Sequence, residues 1–226
     1  MQTNHTLPFR PRALVLAVAL SCATFAAEAA DTFTGLGTLG GTNSRALAVS
    51  ADGSVVVGQS ENIGDTGWLP FRWAGGVMGA LGGVPSGGSP DFPYGVSAYG
   101  VSADGGVVGR STGHAFRWTG GVMSNIDTLW NYASGALGVS ADGAVVVGWY
   151  SYGEGSLAFR WTAATGMVLL ADLNGPRLFT YPSMAYGVSA DGGVVVGESM
   201  ITGDAGSHAF RWTGGVMSDL GSLGGG

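Results

Sequence analysis

The chain of 226 residues contains no lysine, and cysteine occurs once, at Cys22. Charge is scarce: 11% of residues are charged, and acids outnumber arginines to leave a net charge of −6. An acidic chain without lysine lacks the basic patches that give nucleic-acid binding its affinity. It equally lacks the cationic surface that docks on anionic lipid. No HExxH or P-loop motif occurs, and glycine is so abundant (43 residues) that any apparent GxGxxG is compositional. No apolar run reaches the ~20 residues that a membrane-spanning helix requires. No segment holds a sustained helical period. Low charge does not imply disorder here, because valine and aromatics are plentiful; the mixture fits short strands joined by tight glycine turns.

The one long apolar stretch lies near the start. Arg10 and Arg12 form a charged region, Ala13 to Ala27 is almost unbroken apolar or small, and Ala27-Glu28-Ala29 is a small-x-small cleavage site. Residues 1–29 are therefore expected to be a secretory signal peptide, with Ala30 or Asp31 as the mature start. A retained membrane anchor fits less well because the run is short. A lipoprotein signal at Ser21-Cys22 fits less well because Ala19-Leu20 is a poor lipobox. Cleavage would remove Cys22, and with it every thiol, disulfide and cysteine metal ligand. It would leave seven arginines against fourteen acids and no membrane span. The expected location is extracellular, cell-surface or periplasmic. Residues 30–226 are long enough to form one domain with a sizeable core.

That domain repeats. Val-Ser-Ala-Asp-Gly occurs four times, with its aspartate at Asp52, Asp104, Asp142 and Asp191, each followed by a valine run ending in glycine. Phe-Arg-Trp occurs between copies, beginning at Phe71, Phe116, Phe159 and Phe210. The mean spacing is about 46 residues. In the last unit Ala185 to Ser189 reads as a strand and Asp191-Gly192 as a hairpin turn. Val194 to Gly197 is the return strand, His208 to Thr213 the third, Gly214-Gly215 a second tight turn, and Val216 to Leu220 the fourth. The third unit departs, with a longer turn at Thr162 to Gly166 and an irregular segment from Leu169 to Pro182. The second is preceded by a Pro/Gly/Ser insertion, Pro85 to Pro93. Four strands per unit is the content of a propeller blade, and a lone sheet of this size needs a neighbour to bury its faces. The expected fold is all-β and propeller-like, with about four four-stranded blades; the alternatives are a β-sandwich or an irregular β-solenoid. Gly35 to Gly41 resembles the exit segment Gly221 to Gly225 and reads as an extra N-terminal strand. Either the four blades close into a ring, which is the expectation, or the chain is an array cut from a longer repeat protein, or it pairs with another copy.

The segments His114-Ala-Phe-Arg-Trp-Thr-Gly-Gly-Val-Met and His208-Ala-Phe-Arg-Trp-Thr-Gly-Gly-Val-Met, with the Asp-Leu-Gly-Ser-Leu-Gly-Gly ending and VSADGxVVVG, resemble the bacterial extracellular repeat family named for its His-Ala-Phe (HAF) tripeptide. The resemblance covers Thr32 to Gly226 and implies an exported repeat protein whose molecular function it does not supply. Leu69-Pro-Phe71 and Leu157-Ala-Phe159 depart from the tripeptide, so the histidine is not required in every unit.

Several residues are candidates for chemistry. Each Asp-Gly turn carries one carboxylate, where a calcium loop gathers several oxygens within a dozen residues; the aspartates are expected to cap their own turns. Arg72, Arg117, Arg160 and Arg211 recur once per unit between Phe and Trp. Strand alternation turns them to the face opposite the aromatics. They are expected to make a repeated Arg–Asp contact, or alternatively a ring of guanidinium groups at the channel mouth that binds an anion or acidic glycan. His114 and His208 are explained by repetition. Trp68, Tyr94, Trp130, Trp149, Tyr152 and Tyr181 lie outside the core motif or at its edges, where they pack or stack on sugars. No catalytic residue, metal site or cofactor is implied. The expected activity is non-catalytic recognition of an extracellular ligand, glycan or protein, or a structural role. It would act through the irregular loops Glu61 to Trp68, Pro85 to Pro93, Tyr150 to Gly155, Asn174 to Pro182 and Met200 to Ser207, and self-association is open. The alternatives are a propeller enzyme acting on extracellular polysaccharide and a truncated remnant of a longer repeat protein.

Overall fold

A valine run that follows a tight Asp-Gly turn finds its cheapest hydrogen-bond partners in the strands just before and after it, so each unit folds into a sequential antiparallel sheet. The computed structural model describes residues 32–63, 67–82, 97–111, 113–129, 132–152, 155–173, 182–201 and 206–223. The expected signal peptide, with Arg10, Arg12, Cys22 and the cleavage site, lies outside these residues. The first sheet is β1 (Gly40–Val49), β2 (Val55–Asn62), β3 (Trp68–Ala74) and β4 (Val77–Ala80). The second is β5 (Ser97–Val101), β6 (Val107–Ser111), β7 (His114–Thr119) and β8 (Val122–Asn125). The third is β9 (Ser134–Val139), β10 (Val145–Ser151), β11 (Ser156–Thr162) and β12 (Gly166–Leu169). The fourth is β13 (Ser183–Val188), β14 (Val194–Met200), β15 (Ser207–Thr213) and β16 (Val216–Asp219). Neighbours in sequence are neighbours in every sheet. The architecture is four four-stranded blades, as expected for a propeller-like fold.

Three details differ from the sequence reading. The second strand of each blade does not stop at the glycine of Val-Val-Val-Gly; β14, for example, continues to Met200. That glycine faces a β-bulge in the first strand, which recurs in all four blades: register shifts fall at Ala46/Ala48, Ala98/Gly100, Ala185/Gly187 and, in the third blade, at Val147/Gly148 of the partner strand. The segment Gly35 to Gly41 makes no strand of its own: Leu39 forms a single bridge to Asn62, and Gly40 already opens β1.

The turns follow from their residues. Gly120-Gly121 and Gly214-Gly215 have φ of 59° and 90°, and 57° and 91°. A two-residue turn that continues the strand twist needs positive φ at both positions, which glycine supplies without steric cost. At the other turn, Ser140 N–H donates to the Val145 carbonyl and Gly143 N–H to the Ser140 carbonyl. Asp142 Oδ1 accepts from Ser140 Oγ (2.6 Å) and from Ala144 N–H (3.0 Å). Asp52, Asp104 and Asp191 repeat this pattern with Ser50, Ser102 and Ser189. The expected turn-capping role is thus what the aspartates perform.

Those hydrogen bonds favour the ionised carboxylate. The serine hydroxyl and the backbone N–H two residues on hold all four aspartates below the ordinary carboxylate range, Asp52 at about 2 against 3.8. A depressed carboxylate contributes stability above its unfolded pKa and loses it as pH falls through the folded one. Thermal melting followed by circular dichroism is expected to show Tm dropping as pH is lowered from about 3.8 towards about 2. Ser140→Ala, which removes the largest cause of the Asp142 shift, is expected to lower Tm at neutral pH and to make the acid-induced drop smaller.

The blades stack through three apolar clusters, one per junction. Between the first and second blades lie Val57, Ala98, Val107, Phe116 and Met123. Between the second and third lie Val108, Ala136, Val146, Phe159 and Met167. Between the third and fourth lie Val147, Ala185, Val195, Phe210 and Met217. The first strands of successive blades touch, and the sheets fan outward from them. The turns are also laced together: Ala103 N–H donates to the Ala141 carbonyl of the next blade (2.9 Å), and Ala141 N–H to the Ala190 carbonyl of the one after (3.1 Å).

Among the described residues the expected closure is not formed. No packing of the fourth sheet against the first stands with these three junctions among the described residues. Val57, Val108 and Val147 are 0–1% exposed, whereas the equivalent Val196 on the last sheet is 43% exposed. The fan of four blades ends with an uncovered face on each side.

Candidate functional site

The sequential sheets give the molecule two unlike ends. In every blade the first strand runs into the Asp-Gly turn, the second runs away from it, the third returns to the second turn, and the fourth leaves again. All Asp-Gly and Gly-Gly turns therefore gather at one end. All connections from second to third strand, and from one blade to the next, leave from the other. The five irregular loops identified in the sequence all spring from this second end. Much of them, residues 64–66, 85–93, 153–154, 174–181 and 202–205, lies outside the described residues, as do Tyr94, Trp130, Arg177 and Tyr181.

Aromatics outside the repeated motif stand on the strand ends at this loop end. Trp68 opens β3, with the Arg45 guanidinium 5.2 Å from its ring centre. Trp149 lies near the end of β10 under Arg110 of the preceding blade, at 5.3 Å. Tyr132, half exposed just before β9, meets Tyr150 edge to face with ring centres 6.5 Å apart. Arg45 and Arg110 are thus the two non-repeated arginines among the described residues, and each is held over an indole here. Sequence reasoning singled out Trp68 and Trp149 but passed over Arg45 and Arg110, because neither belongs to a motif.

The four repeated arginines sit elsewhere. They lie on the third strand of each blade, two strands out from the innermost one, and face the next blade. Arg117 Nε donates to the Gly143 carbonyl (3.1 Å), and an Arg160 terminal nitrogen to the Gly192 carbonyl (3.3 Å). Arg72 and Arg160 also lie over Trp118 and Trp212 of the following blade, each at 5.8 Å. None of the four pairs with a carboxylate among the described residues. The expected Arg–Asp contact is replaced by a contact to the carbonyl of the glycine beside that aspartate, because the Asp oxygen is already engaged inside its own turn. Arg117 further lines a cleft of about 220 Å³ at the second junction, with Thr119, Ser124, Asn125 and Trp161. Arg211, with no following blade, is exposed.

The histidines are tied down by carboxylates. His114 Nδ1 lies 3.1 Å from Oδ2 of the buried Asp127, which also accepts from Ser134 Oγ (2.7 Å), while its Oδ1 accepts Leu129 N–H (2.9 Å). Ser134 Oγ in turn accepts Ala115 N–H (2.9 Å), so the network crosses the second junction. His208 Nδ1 lies 3.0 Å from Asp219 Oδ2. Gly221 N–H, and secondarily His208, keeps Asp219 below the ordinary carboxylate range. The serine is bonded to the carboxylate, not to the imidazole, so the trio joins two blades and does not form the relay of a nucleophilic triad. Among the described residues, no group of three or more metal-ligating side chains converges.

No family model and no curated protein matches the chain. Solved structures do resemble it. TolB from Acinetobacter baumannii superposes with a TM-score of 0.52 at 13% identity, over 76% of this chain and 42% of that one. A putative TolB from Agrobacterium tumefaciens gives a TM-score of 0.50 at 14% identity, over 76% of this chain and 62% of that one. The chain thus spans less than two thirds of the length of either. At this identity the likeness is one of fold: the four blades are built as in the TolB-like β-propellers.

Proposed function

We propose that the chain is an exported, non-catalytic repeat module that recognises an extracellular glycan through the loop end of its blades. One observation carries this reading. Most repeated polar groups are consumed by the fold, the aspartates in turns, Arg72, Arg117 and Arg160 at junctions and the histidines on carboxylates, while Trp68, Trp149, Tyr132, Arg45 and Arg110 stand towards the end where the irregular connections emerge. Such an end on a rigid scaffold is where binding residues are generally found. Indole and phenol rings present flat apolar faces for sugar rings, and Arg45 and Arg110 add positive charge, so glycans containing acidic sugars are the favoured class. The repeated arginines are not part of this loop-end site: Arg117 and Arg160 donate to turn-glycine carbonyls of the next blade, and Arg72 and Arg160 are turned to its indole. Export and kinship with the HAF repeat proteins belong to the same proposal, supported by the leader-like N-terminus and the two full HAF strands.

A glycan array probed with the purified chain is expected to select uronate-bearing oligosaccharides. Tyr132→Ala and Trp68→Ala are each expected to weaken that binding about tenfold or more, roughly 1.4 kcal/mol, with the β-sheet circular dichroism unchanged. An array on which the folded chain selects no glycan, including the case where it captures only a protein, would overturn the reading, as would full affinity in both variants.

A further inference from the structure

The two outer faces of the fan are halves of one junction. On the last sheet, the face turned away from the third blade carries Val196, Ala209 and Arg211, all exposed. Their equivalents in the other blades, Val57, Val108 and Val147; Pro70, Ala115 and Ala158; and Arg72, Arg117 and Arg160, are buried or half-buried against the next blade. Pairing shows that each set shares a face, since Val196 lies opposite Arg211 as Val147 lies opposite Arg160. On the first sheet, the opposite face carries Ala46 and Val49, exposed, and Val56, half-buried. The equivalents of Ala46 and Val56, namely Ala98, Ala136 and Ala185, and Val107, Val146 and Val195, are all fully buried, and those of Val49, namely Val101, Val139 and Val188, are half-buried.

We infer that a second copy of this chain docks here, the last blade of each copy against the first blade of the other, giving a closed two-chain ring of eight blades. The three internal junctions define the contact. A fourth junction needs a valine and an arginine on one side and an alanine, a valine and a tryptophan on the other, and the two outer faces hold those residue types at those strand positions. The polar complement matches as well. Arg117 and Arg160 each donate to the turn-glycine carbonyl of the following blade. Arg211 has no such acceptor among the described residues, and the Gly53 carbonyl of a second copy is the equivalent one. Ala103 and Ala141 donate backbone N–H groups to the next blade's turn. Ala190 N–H has no such partner among the described residues, and the Ala51 carbonyl of a second copy would provide it. Ala115 and Ala158 N–H donate to Ser134 and Ser183, and Ser44 of a second copy stands at the equivalent place for Ala209. A contact between unlike surfaces either closes or propagates into a filament. Two chains give eight blades, within the range that propellers adopt, so closure at two is the arrangement assigned.

Light scattering on the full chain over a concentration series is expected to give twice the chain mass. Val196→Glu and Val49→Glu, each at an exposed position on a different outer face, are both expected to return the mass to one chain with unchanged circular dichroism. Mixing the two variants is expected to restore a two-chain species, because one native junction can still form between them. A single-chain mass at every concentration would overturn the inference. A dimer that survives Val49→Glu would show that the last sheets meet each other instead, and a mass that climbs beyond two chains would show an open array; either would also overturn it.

Discussion

Gly148→Ala is expected to leave the chain unfolded or aggregated, although it adds one methyl group in mid-strand. The bulge in β9 pushes its backbone towards β10 at this residue. A Cβ on Gly148 would overlap the Gly135 carbonyl oxygen and lie 2.9 Å from its carbon and 3.0 Å from Ala136 Cα. The obstacle is backbone held by the ladder on both sides, not the tip of a flexible side chain. Relief therefore requires separating the two inner strands of a blade covered on both faces. The cost is expected to exceed the ~1–3 kcal/mol usual for core overpacking. That is a large share of the ~5–15 kcal/mol that stabilises a typical domain. Urea denaturation checks it: a variant with a cooperative transition within ~1 kcal/mol of the parent would show that the bulge can relax. A contrast is available at Gly76, where a Cβ meets nothing within 4 Å and only the positive φ of 83° opposes a side chain. Gly76→Ala is expected to cost far less.

The second large effect is expected from Phe159→Ala. Phe159 is fully buried in the cluster between the second and third blades, among Val108, Ala136, Val146 and Met167. Removing a buried phenyl ring costs ~3–5 kcal/mol from lost transfer energy plus the cavity left behind. The surroundings here are ladder-bonded strands on two blades, which cannot collapse inward, so the upper part of that range applies. The free energy from a urea transition should fall accordingly. A loss of under ~1 kcal/mol would mean that the blades are not held together through this cluster.

The repeated part of the fold was legible because its signals are local. Asp-Gly and Gly-Gly set turn geometry over a few residues, and alternation in Phe-Arg-Trp assigns the arginine to one face and the aromatics to the other without knowledge of the neighbours. What failed was everything that depends on a second blade. The arginine partner was expected to be an aspartate on grounds of charge, but Asp142 already accepts from Ser140 and Ala144, so Arg117 finds the adjacent carbonyl instead. Ring closure was inferred from the likeness of Gly35 to Gly41 and Gly221 to Gly225, a likeness of sequence that does not reveal the angle between blades. The glycine closing each valine run looked like a strand end; its true cause, a bulge on the facing strand, leaves no mark in its own neighbourhood. At the candidate site, Trp68 and Trp149 stood out as aromatics beyond the motif. Arg45 and Arg110 did not, since their significance is a distance to an indole.

The polarity of the blades bears on how the assembled molecule would meet its surroundings. In a two-chain ring whose symmetry axis runs through the centre, both copies point their irregular connections to the same side. One side would then be a plain floor of short turns, and the other a paired display. A polymeric chain crossing that display could be gripped twice, so modest affinity at each grip would multiply into tight retention without any new contact.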